Sequence, residues 1–144
     1  MIYQQTSITI GSNLESAWNI LKKSMTTAEM PNIFPSCLKI EIEEDCDGRI
    51  HRKIFFANSI EKEVVTVNFS QYRINSVAKT NPNYFGEISY ILLRPSESFL
   101  NEQQCSLVIV SAWRMHPGIL AAPTIDKMDY IKKIGKNLKK EIER

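Results

Sequence analysis

The chain has 144 residues, 43% of them hydrophobic and 24% charged, with a formal net charge of +2. This is the balance of one ordinary globular domain, and it argues against a disordered chain or a membrane span of ~18 or more consecutive apolar residues. A charge this small does not point to DNA, and residues 1–144 are read as a single domain.

The charge is unevenly placed. Residues 121–144 hold seven Lys/Arg against four Asp/Glu, whereas the rest holds eleven against twelve, so the basic character belongs to the C-terminal segment. Three cysteines, Cys37, Cys46 and Cys105, form an odd set without CxxC spacing. They suggest neither a disulfide framework nor a zinc ribbon, and reduced thiols fit a cytoplasmic protein. Met1 to Ile10 alternates polar and apolar residues instead of offering a basic end followed by an apolar run, which is not the pattern of a secretion signal. Without such a signal, Asn68-Phe69-Ser70 is read as a chance match to the glycosylation pattern.

Residues 2–10 alternate around Ile8 and Ile10 and predict a first strand that ends at Gly11. Ser12 with Glu15 has the spacing of a capping box, followed by a helix over about 13–24 with Leu14, Ala17, Trp18 and Leu21 on one face. A second capping box, Thr26 with Glu29, predicts another short helix that stops before Pro35, because Phe34 is pushed towards extended geometry.

From Cys37 the period falls to two, and strands are expected at about 37–46, 49–57, 60–69, 72–80, 84–94 and 104–114. A consistent inward face constrains their pairing. Leu38, Ile40 and Ile42 match Ile50, Ile54 and Phe56 if Cys46-Asp47-Gly48 is a three-residue loop with Gly48 left-handed. A turn at Asn58-Ser59 sets Phe56, Ile54 and Arg52 against Glu61, Glu63 and Val65. One at Ser70-Gln71 sets Val65, Val67 and Phe69 against Ser76, Ile74 and Tyr72. One at Asn81-Pro82-Asn83 sets Ser76 and Ile74 against Ile88 and Tyr90. In the last strand Leu107, Ile109 and Trp113 compete with Val108, Val110 and Ala112 for the inward face.

His116-Pro117-Gly118 and Pro123 bracket a loop, and Thr124 can cap a final helix. Its apolar stripe is Ile125, Met128, Ile131, Ile134, Leu138 and Ile142, and lysines fill the rest. At ~30 Å it would cross a whole sheet. The fold class is therefore α+β, a curved antiparallel sheet of about seven strands around a long C-terminal helix, with two short helices after the first strand. Such a shape leaves a hollow.

This element order resembles the helix-grip fold of the START-like (SRPBCC) superfamily, which includes birch-pollen allergens, aromatase/cyclases, lipid-transfer START domains, coenzyme Q-binding proteins and co-chaperone domains. Local wording is similar too: Trp18 in the first helix, Met30-Pro31, Phe34-Pro35, Leu38-Lys39-Ile40-Glu41-Ile42, and Gly48 followed by Arg52. The stretch from Gly48 to Phe56, with its arginine, most resembles a small polyketide-cyclase-like (AtaL-like) subgroup. The resemblance implies binding, or transfer, of a lipid, polyketide or other aromatic in an internal cavity. Its alternatives are a cyclase/dehydratase-like enzyme, or an interaction module of co-chaperone or ribosome-associated type.

Arg52 falls on the inward face between Ile50 and Ile54, with Glu63 diagonal to it. A guanidinium there anchors a ligand carboxylate, carbonyl or phenolate, forms a buried pair with Glu63, or snorkels out at the rim of the sheet. Tyr72, Ser76 and Tyr90, with Trp113 if its strand takes that phase, are the further candidates for ligand contact on the same face. Arg52, polarising a carbonyl, and Tyr90, donating a proton, are the catalytic candidates. Gly86 in a strand and Gly135 in the last helix are expected to shape the cavity by letting elements bend or approach closely.

Two histidines, His51 and His116, without an acidic partner at ligand spacing argue against a metal, and five scattered glycines argue against a phosphate cradle. No cofactor is expected. The lysine face of the last helix is read as solvated, which disfavours RNA or a membrane surface as partner, and Tyr130 alone is thin support for stacking on bases.

Overall fold

The computed structural model of the chain describes residues 2–79, 84–94, 103–115 and 124–144. The Asn81-Pro82-Asn83 turn, the His116 to Pro123 loop and the side chains of Thr124 and Ile125 lie outside them. Seven antiparallel strands form one sheet: β1 (Ile2–Ile10), β2 (Lys39–Glu44), β3 (Ile50–Phe55), β4 (Ile60–Asn68), β5 (Arg73–Ala78), β6 (Tyr84–Leu93) and β7 (Cys105–Met115). Their order is β1-β7-β6-β5-β4-β3-β2, so a meander from β2 to β7 is closed by the N-terminal strand. Helix α1 (Leu14–Thr26) and the long α2 (Thr124–Ile142) pack on its inner face.

Helix α1 begins one residue later than the capping-box spacing suggests. Asn13, as good an N-cap as serine, accepts from the Ser16 N–H at 2.8 Å. Ser12 bonds only the Asn13 carbonyl, and Glu15 turns instead to the Tyr72 hydroxyl. The second capping box does not form either. Thr26 is the last residue of α1, and its hydroxyl donates back to the Lys22 carbonyl at 2.7 Å, a local bond that competes with capping a new helix. The expected second helix is a single 3₁₀ turn, Pro31–Ile33, after which Phe34 is extended as its proline neighbour requires.

The β2–β3 hairpin closes as expected. Gly48 has φ 78°, and Asp45 Oδ1 accepts from the Asp47 and Arg49 N–H groups at 2.9 Å each. Leu38, however, stands before β2 and is 66% exposed. The β3–β4 turn centres one residue earlier than predicted, with Phe56 N–H bonding the Ser59 carbonyl. Arg52 therefore lies directly opposite Glu63 and not diagonal to it. A shift of two residues keeps every side chain on its face. Val65 pairs with Ser76, Val67 with Ile74, Ile74 with Tyr90 and Ser76 with Ile88, as the inward pattern demands. Phe69 leaves the strand for a 3₁₀ turn, Phe69–Gln71, and is 63% exposed. The ambiguity of β7 resolves in favour of Leu107, Ile109 and Trp113, which are buried together with Cys105 and Ser111.

Helix α2 buries Ile131, Ile134 and Leu138 completely, while Lys132, Lys133, Lys136 and Lys140 are exposed. Its end is fastened to β1. Glu143 Oε2 accepts from the Gly11 N–H at 2.7 Å, and Lys139 Nζ donates to the Thr9 carbonyl at 2.8 Å. No described helix is long and apolar enough to cross a membrane.

Gly135 faces Ile109 and Ile8, yet a Cβ built on it would stand 3.5 Å from Ile109 Cδ1 and 3.9 Å from Ile8 Cγ2, ordinary contact distances. Close approach therefore does not require the glycine. Gly135→Ala is predicted to stabilise the fold by about 0.5–1 kcal/mol, through lower unfolded-chain entropy and higher helix propensity. Thermal unfolding checks this, and an unchanged or lower Tm would show that the methyl is not accommodated.

Candidate functional site

The inner face of the sheet is largely apolar, and one rung of it carries a buried ion pair. Arg52 comes from the middle of β3 and is 1% exposed, and Glu63 stands opposite it on β4 at 6%. A buried guanidinium is costly unless its donors and charge are both met. Here they are. Nε donates to Glu63 Oε1 at 2.8 Å, and Nη2 reaches the same oxygen and also Ser76 Oγ at 3.2 Å. Nη1 donates to the Met25 carbonyl and sulfur, both at 3.3 Å. The Phe34 ring lies 4.7 Å from the guanidinium carbon and completes the enclosure with a cation–π contact. Burial pulls the Arg52 pKa down most strongly of any single cause, but Glu63 together with Tyr90 and Tyr130 outweighs it and the net direction is up.

Among the predicted site residues, Arg52, Glu63 and Ser76 thus meet directly. Tyr90 is fully buried near them; burial pushes its phenol well above the ordinary range, opposed by the Arg52 charge. Trp113 pairs in register with Gly86, and its buried Nε1 has no hydrogen-bond partner among the described residues. Tyr72 does not join this group. It follows the 3₁₀ turn at φ 50°, sets its ring edge-on to Trp18 at 5.6 Å, and donates its hydroxyl to Glu15 on α1.

Beside the rung the sheet carries small residues. Ser76, Ala78, Gly86 and Ser111, with Glu61 and Glu63, line a void of about 10 Å³, room for one water. Arg52 does not line it, because its fork is turned to Glu63, Ser76 and Met25. The polar atoms offered to this space are therefore carboxylate and hydroxyl oxygens.

Three contributors escaped sequence reasoning. Glu61 and Ser111 were legible as inward by their alternation with Glu63 and Trp113 but carried no distinguishing chemistry. Tyr130 looked like part of the basic face; its phenol is pushed up chiefly by burial and senses Tyr90, Glu61 and Glu63. Its position one residue before Ile131 and four before Ile134 was the available signal. Among the described residues no group of three or more His, Cys, Asp or Glu could hold a metal ion.

Because Arg52 is enclosed, Arg52→Met alone strands a buried carboxylate and is predicted to cost about 3–5 kcal/mol. Arg52→Met with Glu63→Leu should recover much of that loss. Denaturant unfolding of both single variants and the double checks it, and additive losses would mean that the two residues are not coupled.

No protein-family model matches the chain, and neither does any curated protein. Solved structures do. Norcoclaurine synthase from Thalictrum flavum, in complex with dopamine and hydroxybenzaldehyde, superposes with a TM-score of 0.73 at 10% identity, over 98% of this chain and 86% of that one. The Zhui aromatase/cyclase from Streptomyces sp. R1128 gives 0.68 at 16% identity, over 99% and 94%. A START superfamily protein from Mycobacterium smegmatis gives 0.68 at 13% identity, over 98% and 97%. At such identities the likeness concerns the fold, and it agrees with the element order, the sheet topology and the long C-terminal helix: this chain shares the helix-grip fold of these structures.

Proposed function

We propose that the protein binds a largely apolar small molecule, such as a lipid, polyketide or other aromatic, on the inner face of the sheet beside the Arg52–Glu63 rung. The observation that carries this reading is the run of small residues, Ser76, Ala78, Gly86 and Ser111, beside the carboxylates of Glu61, Glu63 and Glu87 in an otherwise well-filled core. Cores built only for stability are filled to near-crystalline density with apolar side chains. Replacing a buried ion pair by such side chains is often neutral or stabilising, so the pair and the small residues around it fit a binding site better than a packing device.

The described walls close to about 10 Å³. Ligand pockets run to roughly 300–1,000 Å³, so a guest must part these walls and is expected to bind by selecting an opened state. Hydrogen-bond donors on its polar end suit the oxygens of Glu61, Glu63, Ser76 and Ser111, and the Trp113 indole N–H supplies a donor beside Gly86. Small aromatics bound by norcoclaurine synthase on the same fold support this size and chemistry by analogy.

A second reading is cyclase-like chemistry, favoured by the cluster of Tyr90 and Tyr130 around Arg52 and Glu63. A phenol kept neutral by burial can donate a proton to a developing alkoxide. Arg52, with its donors engaged, then acts by positioning Glu63 and by its charge and not as a free carbonyl anchor.

Native mass spectrometry of the purified protein is the direct test. A reproducible bound mass is expected, lost in Ser111→Leu, which fills the void, provided that variant keeps its unfolding midpoint. Unchanged retention in a folded Ser111→Leu would place the guest elsewhere. With the recovered molecule as substrate, Tyr90→Phe is expected to abolish turnover while retaining binding if the protein is an enzyme. Equal turnover would remove Tyr90 from the chemistry.

A further inference from the structure

A second hollow lies on the other side of the Arg52–Glu63 rung. It is a groove between α1 and the β2–β3 hairpin, of about 430 Å³ and open to solvent along one side. Its floor is Ile50, Val65 and Val67, three inward residues of β3 and β4 next to the rung, and Phe69 forms one wall. Phe69 is held there, although 63% exposed, by the edge-on ring of Trp18 at 6.1 Å. Arg52, bonded to the Met25 carbonyl at the end of α1, stands between this groove and the void at Glu61 and Ser111, so the two spaces are separate.

The rim of the groove is cationic. Lys22 on α1 holds its ammonium 5.5 Å from the Phe69 ring centroid, and Arg49 projects from the hairpin beside Gly48. Neither side chain makes an ion pair among the described residues. Asp47 is the one carboxylate in the lining. An apolar floor of this kind, bounded by an aromatic and by two cations on opposite walls, is complementary to a molecule with a hydrocarbon body and an anionic end. Arginine's planar fork suits a carboxylate or sulfate, and lysine adds a second point charge.

We infer that this groove binds a free, single-chain anionic amphiphile, its chain on Ile50, Val65, Val67 and Phe69 and its head group between Lys22 and Arg49. The inference is independent of the ligand proposed for the void at Ser76 and Ser111, because it uses different residues on the far side of the rung.

The test is a titration of the isotope-labelled full chain with sodium laurate at neutral pH, below its micelle concentration, followed by backbone amide spectra. Saturable shifts are expected at Gly48, Arg49, Thr66 and Phe69. Lys22→Gln combined with Arg49→Gln removes only rim charges, and it should weaken laurate binding by about tenfold or more through loss of charge-assisted bonds. Dodecanol, of the same chain length but uncharged, should bind correspondingly less tightly to the unaltered protein. Shifts confined to Gly86 and Ser111 would assign laurate to the void beside them and overturn the inference. So would equal binding of laurate by the double variant, equal binding of dodecanol and laurate, or binding to anionic phospholipid vesicles without binding of monomeric laurate.

Discussion

The fold is organised around a charge that has been taken out of water. Arg52 is an interior residue of β3, and every group around it answers a cost that its burial creates. Glu63 neutralises it, Ser76 and the Met25 carbonyl accept from it, and Phe34 covers its face. These partners come from β4, β5, the end of α1 and the segment after the 3₁₀ turn, so one side chain ties together four parts of the chain distant in sequence. The same demand fixes the pairing of β3 with β4. A slip of one residue would turn Arg52 outward and put His51 or Lys53 inside, and neither carries the five-donor fork that reaches Glu63, Ser76 and the Met25 carbonyl together.

That rung divides the inner face into regions with different work. Towards α1, Leu21, Met25, Ile74 and Leu92 pack as an apolar layer. At the C-terminal end of α2 the helix is clamped to β1, through Glu143 on the Gly11 amide and Lys139 on the Thr9 carbonyl, and Ile131, Ile134 and Leu138 fill the space beneath. The region of Ser76, Ala78, Gly86 and Ser111 is walled by small side chains and, among the described residues, keeps a void of about 10 Å³. Rigidity and space are thus separated along one sheet. The clamped end supplies a fixed frame, and the small-residue end supplies the place where a guest costs least packing to admit.

Much of this was legible in the sequence, because a strand period of two makes each inward residue a constraint on its neighbours. Strand positions, the left-handed Gly48 and most of the inward set from Ile40 to Tyr90 followed from that phase, whereas apolar residues on both faces of β7 left its phase open. Other details were decided by local competition that periodicity does not see. Asn13 and Ser12 are nearly equal caps one residue apart, and Thr26 could either cap or terminate a helix. The β3–β4 turn chose Ala57-Asn58 over Asn58-Ser59, which turned a diagonal Arg52–Glu63 pair into a direct one. Tyr72 was misplaced because alternation was continued through a 3₁₀ turn, where a left-handed residue redirects the chain and sends the ring to Trp18.

The position of Arg52 also reverses the simplest guess about recognition. An inward arginine suggests an anionic ligand, but an arginine whose donors are all engaged presents no fork to a guest. What it presents instead is a fixed carboxylate, since Glu63 is held in place by two of its N–H groups. The void beside it is accordingly lined by oxygens, whereas the groove on the opposite side of the rung is rimmed by Lys22 and Arg49, cations that no described acid pairs. Since each site's polar groups set its preference through desolvated hydrogen bonds, the two spaces should discriminate in opposite senses, the inner one for donors and the outer one for anions. A helix-grip fold shared at 10–16% identity with a synthase and an aromatase/cyclase does not specify which molecules these are. The charge of the groups left facing each space does narrow their chemistry, and it is read from this chain's own residues and not from the likeness of fold.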